Sequence, residues 1–216
     1  MPDLSFEIVS AEPARDLITP AINFELRVTN RFLEQSIHAV LLRCQIQIET
    51  AKRRYNAEEQ KQLRDLFDEP SRWGDTLRPM TWANTSVNIP AFTGSTVFTL
   101  AVPCSFDFSV GTAKYFLGIE GGDVPLTFLF SGTVFHAAGT GALQVAPISW
   151  NKEARFRLPV ATWKALMDVH YPNTVMLHLR RDVFEELYRF KMALGAATFE
   201  EVIERMLSKA EGQRPV

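Results

Sequence analysis

The chain has 216 residues, of which 46% are apolar, 11% aromatic and 22% charged. This composition can bury a hydrophobic core, so the sequence predicts one large folded domain, or one domain with an appendage, rather than a disordered chain. Lys and Arg number 23 against 25 Asp and Glu, so the net charge gives no reason to expect binding to a nucleic-acid backbone or an anionic membrane.

The sequence also predicts the cellular compartment of the protein. No apolar run approaches the roughly 20 residues that a membrane-spanning helix needs, and the N-terminal stretch lacks the basic-then-apolar pattern of a signal peptide. These features predict a cytoplasmic protein. Cys44 and Cys104 lie far apart in the sequence, which argues against a zinc knuckle or a thioredoxin-type dithiol.

The N-terminal half alternates between apolar and polar residues, which is the pattern of strands with one buried face. Such segments cover residues 4–10, 21–29, 36–49, 81–89 and 96–102. The clearest is 36–49. One of its faces carries His38, Val40, Leu42, Cys44, Ile46 and Ile48, and the other carries Arg43, Gln45, Gln47 and Glu49. We expect the first set, including the Cys44 thiol, to point into the core.

A polar insertion at about residues 52–79 interrupts the strand pattern. Asn56 is suited to cap a helix because Glu59 follows three residues later, so the insertion is predicted to contain a helix over about 57–67 that ends before Pro70. Further on, Phe106, Phe108 and Val110 continue the alternation. The segment 112–119 fits either a helical turn or a short strand.

The segment from Asp123 to Val160 contains two apolar runs joined by a turn with Gly139 and Gly141, and it is predicted to be the central hairpin of the sheet. The run Leu126–Phe130 is apolar at nearly every position, whereas a strand with one wet face would alternate. Both faces of this run are therefore predicted to be covered.

After the hairpin the apolar period changes from two to about 3.6, which indicates helices. The first predicted helix has an apolar stripe of Trp163, Leu166, Met167 and His170. Pro172 ends it, and 175–179 resembles one more strand. Asp182 is predicted to cap the next helix, which ends at Gly195, and Thr198 is predicted to cap the last one.

Together these patterns predict an α+β fold, in which an antiparallel β-sandwich carries an inserted helix and a helical C-terminal segment. The predicted sandwich domain covers 1–158, with the insertion at about 52–79, and the helical segment 159–216 packs on it. The last two helices are predicted to form a hairpin against the sandwich or against a partner.

Several short phrases spread over the chain bear a family resemblance. They are Leu42-Arg43-Cys44-Gln45-Ile46, Ser71-Arg72-Trp73-Gly74, Phe92-Thr93-Gly94, Lys114-Tyr115-Phe116, Leu129-Phe130-Ser131-Gly132-Thr133-Val134-Phe135, Trp150-Asn151-Lys152-Glu153-Ala154 and Phe156-Arg157-Leu158-Pro159-Val160. Together they resemble an uncharacterised bacterial family that is encoded beside nickel-iron uptake hydrogenase genes. The resemblance implies a genomic association with hydrogenase assembly or electron transfer, and it brings no catalytic residues.

Thiol and imidazole side chains are the usual ligands of zinc and nickel. The residues of these types are Cys44, Cys104, His38, His136, His170 and His178. A structural role suits them better, because Cys44 and His38 lie on the predicted core side of a strand and His170 completes an apolar stripe. We therefore predict no metal site and no cofactor.

Catalytic motifs are not evident either. The chain has no G-x-S-x-G elbow, no Walker loop and no G-x-G-x-x-G sequence. Ser131 and Thr133 lie in the predicted most buried strand, where hydroxyl groups usually bond to the backbone. No catalytic residue is predicted, although an enzyme of an uncatalogued kind stays an alternative.

Residue types that are enriched in protein interfaces form two groups. Arg53, Arg54, Tyr55, Arg72 and Trp73 flank the inserted helix, and Trp150, Lys152 and Glu153 lie in the predicted hairpin. These residues are the candidate contact sites for a protein partner. In the competing interpretation, the tryptophans pack under the insertion and the basic residues are merely solvated.

The preferred functional hypothesis is a non-catalytic cytoplasmic accessory or scaffold protein. The resemblance implies that hydrogenase subunits or assembly factors are its partners. A small-ligand or metal-binding module that uses a cleft between sandwich and helices is the alternative.

Overall fold

The computed structural model of the protein describes residues 1–14, 17–105, 110–137, 142–174 and 177–211. The predictions at Phe106, Phe108, Gly139 and Gly141 lie outside these described residues. By its internal contacts the chain divides into two compact units, Met1–Thr174 and Val175–Val216.

Strands and short helices alternate along the first unit. Its strands are β1 (Leu4–Pro13), β2 (Ala21–Asn30), β3 (Ser36–Ile48), β4 (Met80–Ile89), β5 (Phe92–Thr93), β6 (Ser95–Pro103), β7 (Asp123–Ala137), β8 (Leu143–Pro147) and β9 (Glu153–Pro159). Its helices are α1 (Ala57–Gln62), α2 (Arg64–Phe67), α3 (Trp73–Thr76), α4 (Val110–Leu117) and α5 (Val160–His170), with 3-10 turns at Thr50–Lys52 and Pro70–Arg72.

The strands form two sheets in which every pairing is antiparallel. The smaller sheet has the order β1-β2-β6. In the larger sheet, β3 lies between β4 and β7, while β8 and β9 pair with successive parts of the other edge of β7. The short strand β5 pairs with the start of β3.

Aromatic contacts join the inner faces of the two sheets. Phe6 of β1 stacks on Phe130 of β7 with ring centroids 4.3 Å apart, and Phe24 of β2 meets Phe128 edge-on at 5.1 Å. Such pairs add to the free energy gained from the buried apolar area. The predicted α+β fold with a two-sheet antiparallel sandwich is confirmed.

The predicted inward face of β3 is confirmed apart from its first member. Val40, Leu42, Cys44, Ile46 and Ile48 are all buried. The prediction is wrong for His38, whose side chain is exposed. The register with β7 shifts between Ile37 and Ala39, so the strand carries a bulge there. The extra residue reverses the alternation, and Ile37 takes the inward position instead.

The two halves of β7 differ in how they are covered. Residues 124–128 are buried throughout, which confirms the prediction for the first half. Thr127 points to the outer face and is covered there, because its hydroxyl donates to Glu49 Oε1 at 2.7 Å. Farther along, Ser131 is exposed and Thr133 is half-buried. The prediction that Ser131 and Thr133 lie in a buried strand is therefore wrong, since the outer face of the sheet is open there.

The second run of the predicted hairpin is broken into β8 and β9. The residues between them, 148–152, form a loop that we call the Trp150 loop. The N–H of Ile148 donates to the carbonyl of Gly132, and the N–H of Phe130 donates to the carbonyl of Lys152, both at 2.9 Å. The two ends of the loop are thus bonded to β7, and Trp150 lies between them.

Helices of the first unit largely follow the predicted caps. Asn56 forms the predicted capping box with Glu59, but the helix is interrupted at Leu63 and continues as α2. The undecided segment 112–119 is mostly helical and forms α4. Phe116 of α4 stacks on Trp163 of α5 with centroids 5.0 Å apart, so α5 belongs to the core of the first unit.

The second unit contains α6 (Arg181–Leu194) and α7 (Phe199–Glu211). The predicted cap at Asp182 is wrong: Arg180 is the extended N-cap residue, so Asp182 lies inside the first turn. Gly195 ends α6 with a left-handed φ of 63°, as predicted. The N–H of Glu201 donates to Thr198 Oγ1 at 3.2 Å, which confirms the second cap.

Of the predicted strand at 175–179, residues 177–179 are not in a strand, and 175–176 lie outside the described residues. The two helices of this unit contact each other through rings, with Phe184 and Phe199 centroids 5.5 Å apart. Across the described parts of the chain, no helix is long and apolar enough to cross a bilayer.

Gly132 provides a test of the register between β3 and β7. Its φ is 138°, and a Cβ added there would overlap the carbonyl oxygen of Leu41 on β3. We expect Gly132→Ala to lower the free energy of unfolding by about 2 kcal/mol or more, measured by urea denaturation. Gly74→Ala is the matched control. A Cβ at Gly74 meets nothing within 4 Å, so this variant should be neutral or slightly stabilised. Equal stability of both variants would contradict the close strand approach.

Candidate functional site

A buried ion pair lies at the centre of the first group of predicted interface residues. Arg53 Nη2 is 2.7 Å from Glu59 Oε1, and Arg53 Nη1 is 3.1 Å from Glu59 Oε2. The side chains are only 9% and 5% exposed. Arg53 Nη2 also donates to the carbonyl of Gly121 at 2.5 Å. The guanidinium thus connects the insertion to the turn before β7.

The Glu59 carboxylate is satisfied by backbone groups as well. It accepts from the N–H of Asn56 at 3.1 Å and from the N–H of Glu120 at 2.9 Å. Burial alone would raise the pKa of Glu59, but the bonds from Arg53 and from these N–H groups outweigh it, and the pKa is lowered. Glu59 is therefore ionised at neutral pH and holds Arg53 inside the molecule.

Aromatic residues of the same group also make internal contacts. The hydroxyl of Tyr55 donates to the carbonyl of Thr50 at 2.8 Å and lies 2.9 Å from the hydroxyl of Tyr115. Trp73 meets Tyr55 edge-on with centroids 5.2 Å apart, and its Nε1 donates to the carbonyl of Asp68 at 3.0 Å. The bonds of Tyr55 to Thr50 and Tyr115 hold the insertion against the rest of the first unit.

The first group therefore does not form one contact surface. Arg53 is held in its buried ion pair, and the half-buried Tyr55 and Trp73 pack against the core. Arg54 and Arg72 are exposed, and Arg72 forms an ion pair with Asp68.

The second group differs, because one member is fully presented to solvent. Trp150 is 92% exposed at the tip of its loop. Lys152 Nζ bonds to Asp3 Oδ1 at 2.6 Å, and Glu153 pairs with Arg155 at 2.9 Å. Both charged residues thus have intramolecular partners, whereas the indole of Trp150 is open to solvent.

Beside Trp150, the open outer face of the larger sheet is hollowed into a shallow depression that we call the outer trough. Its two adjoining parts have volumes of about 670 and 420 Å³. Both parts are lined by Arg43, Ser86 and Ser131, and Trp150 borders the smaller part.

The sheet register creates this trough. Ser86 of β4, Arg43 of β3 and Ser131 of β7 lie directly opposite one another on adjacent strands and form one outward row. The two serines are short, and the neighbouring Gly132 has no side chain, so the sheet is thin on either side of Arg43. Within the described ranges, no carboxylate lies at ion-pair distance from the Arg43 guanidinium.

Sequence reasoning missed this row. The alternation of β3 places Arg43 on the outer face, but only the pairing with β4 and β7 shows which residues lie beside it. Ser86 and Ser131 are 45 residues apart in the sequence, and no local signal links them to Arg43.

The cysteines and histidines do not converge in the described structure. Among all the residues that the structure describes, no group of three or more His, Cys, Asp or Glu side chains is placed to hold a metal ion. His136 is buried on β7, with its Nδ1 3.2 Å from Gln35 Nε2, while His38 and His178 are exposed. Burial raises the pKa of Cys44 and of Cys104 to about 12.

The buried ion pair predicts a pH-dependent stability difference. Because the pKa of Glu59 is lowered from its ordinary value of 4.5, its contribution is complete above that pH and is lost as the pH falls through the lowered pKa. Glu59→Gln should cost about 3 kcal/mol of unfolding free energy at pH 7, since Arg53 stays buried without a counter-charge. The difference in unfolding free energy between this variant and the wild type, measured by urea denaturation from pH 7 to pH 3, should become smaller as the pH falls.

Glu153→Gln is the control for Glu59→Gln, because the Glu153 carboxylate pairs with Arg155 at an exposed site. This variant should change stability by less than about 1 kcal/mol at any pH. A pH-independent loss in Glu59→Gln would show that shape, rather than charge, accounts for the effect.

The buried thiols give a second prediction. At pH 8 both cysteines should stay protonated in the folded protein, so a disulfide reagent such as Ellman's reagent should label neither. In urea both should react at the rate of an ordinary thiol. Rapid labelling of one thiol in the native protein would contradict its burial.

No curated protein matches this chain. Solved structures give weak matches. One is described as a late embryogenesis abundant protein and has a TM-score of 0.33 at 14% identity, over 74% of this chain and 73% of that chain. Another, described as an ApaA protein from Bordetella pertussis, has a TM-score of 0.29 at 12% identity, over 73% of this chain and 93% of that chain. The third is a CARDB domain from Pyrococcus furiosus in complex with di-metal ions, with a TM-score of 0.29 at 12% identity, over 73% of this chain and 91% of that chain.

These structural similarities are too weak to bear on function. The family comparison, by contrast, covers nearly the whole chain. The model of DUF6084, a family of unknown function, matches residues 1–215, and the chain therefore belongs to that family.

Proposed function

We propose that the protein is a non-catalytic accessory or scaffold protein that binds a protein partner through the Trp150 loop and the adjoining outer trough. The observation that carries this proposal is the 92% exposure of Trp150. Tryptophan is among the residues most enriched in interface hot spots, because its large ring gains much free energy when a partner removes it from water.

The Trp150 loop is held in place before any partner arrives. Its two ends bond to β7 through Ile148 and Lys152, and the N–H of Lys152 donates to the carbonyl of Ser149 at 3.2 Å, which closes the turn. The Lys152 side chain adds a bond to Asp3. A loop that is already ordered loses less conformational entropy on binding, so more of the contact energy is realised as affinity.

The surroundings of Trp150 combine apolar and polar groups. Leu41 is 49% exposed and Val145 is 62% exposed on the same outer face as the trough. Around the trough lie hydroxyl and amide side chains, including Ser86, Asn84 and Asn88. An apolar centre with a hydrogen-bonding surround is the usual arrangement of a protein interface.

The partner that we propose is a subunit or assembly factor of a nickel-iron hydrogenase, and the place of binding is the cytoplasm. This part of the proposal is supported by the sequence resemblance to a family encoded beside hydrogenase genes. An accessory protein of this kind needs a contact surface rather than a reaction centre, which agrees with the open shape of the trough.

Substitution of Trp150 tests the proposal. The tagged protein is purified from its own host, grown under hydrogenase-inducing conditions, and the eluate is analysed by mass spectrometry. Trp150→Ala should reduce the recovery of hydrogenase subunits or assembly factors about ten-fold or more, as loss of a hot-spot residue does. Ile18→Ala is the control. Ile18 is 99% exposed elsewhere on the first unit, so its loss should leave recovery unchanged.

Two results would count against the proposal. Equal recovery with Trp150→Ala and the wild type would show that the partner binds elsewhere. Absence of every hydrogenase component from the wild-type eluate under these conditions would contradict the proposed partner.

A further inference from the structure

We infer that the outer trough binds a carboxylate of an extended acidic segment of the partner protein, and that Arg43 is the residue that holds it. This inference rests on the proposed function, because it names the chemistry of the partner at the same site. It follows from the charge of the trough, from the side chains beside Arg43 and from the shape of the sheet face.

Arg43 carries the charge of the trough. The described side chains that line its two parts include no Asp, Glu, Lys or second Arg, so the guanidinium is their one formal charge. The exposed arginines of β9 have carboxylate partners, since Arg155 pairs with Glu153 at 2.9 Å and Arg157 pairs with Asp123 at 3.4 Å. Arg43 is left with its charge available to a bound anion.

The groups beside Arg43 suit a carboxylate. A guanidinium presents parallel N–H groups that match the two oxygens of a carboxylate. Ser86 and Ser131 lie on either side of Arg43 in the same cross-strand row, and each hydroxyl can donate a further hydrogen bond. A single cation flanked by neutral donors balances one negative charge. A phosphate would bring up to two, and the trough has no second cation for it.

The shape of the site favours a protein segment over a small acid. The trough is open and extends along the strands from Leu41 past Arg43 to Trp150. Leu41 lines the larger part of the trough and Trp150 borders the smaller part, so apolar side chains lie on either side of the row that holds Arg43. An extended chain lying here would place a carboxylate on Arg43 and apolar side chains on both sides of it.

A peptide probe tests the inference directly. In a fluorescently labelled dodecapeptide of alternating Glu and Ala, an extended backbone places every carboxylate on one side. Its binding is measured by fluorescence polarisation, with a peptide of alternating Gln and Ala as the uncharged counterpart. The full chain should bind the acidic peptide and not the amide peptide, and ¹⁵N NMR should show shifts at Arg43 Nε and Trp150 Nε1.

Arg54 supplies the matched control for charge. Like Arg43, it is exposed and forms no ion pair with a described residue, but it lies outside the trough. Arg43→Gln should weaken binding of the acidic peptide about ten-fold or more. Arg54→Gln removes the same charge and should change the affinity for the acidic peptide less than about two-fold. The affinity of Arg43→Lys should lie between those of the two glutamine variants, because the charge remains while the two-point geometry is lost.

Failure of the inference is distinguishable from failure of the proposed function. The inference is overturned if the wild type does not bind the acidic peptide, if the Gln peptide binds equally well, or if the Arg43 and Arg54 variants weaken binding equally. It is also overturned if partner recovery from the host is lost in Trp150→Ala but kept in Arg43→Gln, in which case the proposed function stands. Recovery kept in both variants overturns the proposed function itself.

Discussion

The pairing of β3 with β7 is the constraint on which the larger sheet depends. β4 attaches to one side of this pair, and β8 and β9 attach to the other. The register between the two strands is enforced where Gly132 passes the backbone of Leu41, since no other residue fits that approach with its backbone conformation. A slip by one residue would turn every inward side chain outward, so this contact also decides that Arg43 faces solvent and Cys44 the core.

The insertion is held in place by contacts with other parts of the first unit. Its buried Arg53–Glu59 pair and the aromatic contacts of Tyr55 hold the segment against the first unit, and Glu49 beside it covers the outer face over Thr127. Beyond Thr127 the outer face is open. The outer trough lies on this open part of the sheet.

Local patterns in the sequence were sufficient for strands β1 to β4 and β6 and for the helix ends at Asn56, Gly195 and Thr198. Alternation identified the inward face of β3, and the spacing of Asn56 and Glu59 identified the capping box, because both signals come from neighbours in the chain. The bulge that exposes His38 and the break that presents Trp150 depend on how β7 pairs with other strands. Arg53 also shows what local patterns miss. Its residue type is typical of an interface, but the ion pair with Glu59 keeps its side chain buried.

The way the Trp150 loop is anchored separates the stability of the fold from the identity of the exposed residues, two properties that usually change together. The sheet uses only the backbone of Ile148 and Lys152 to join the loop to β7, whereas the residues at the tip contribute nothing to the ladder. Backbone bonds are indifferent to side-chain identity, and loops of this kind tolerate change. Under the proposed function, residues 149–151 can therefore be exchanged to alter which partner is recognised, while the scaffold keeps its folding free energy.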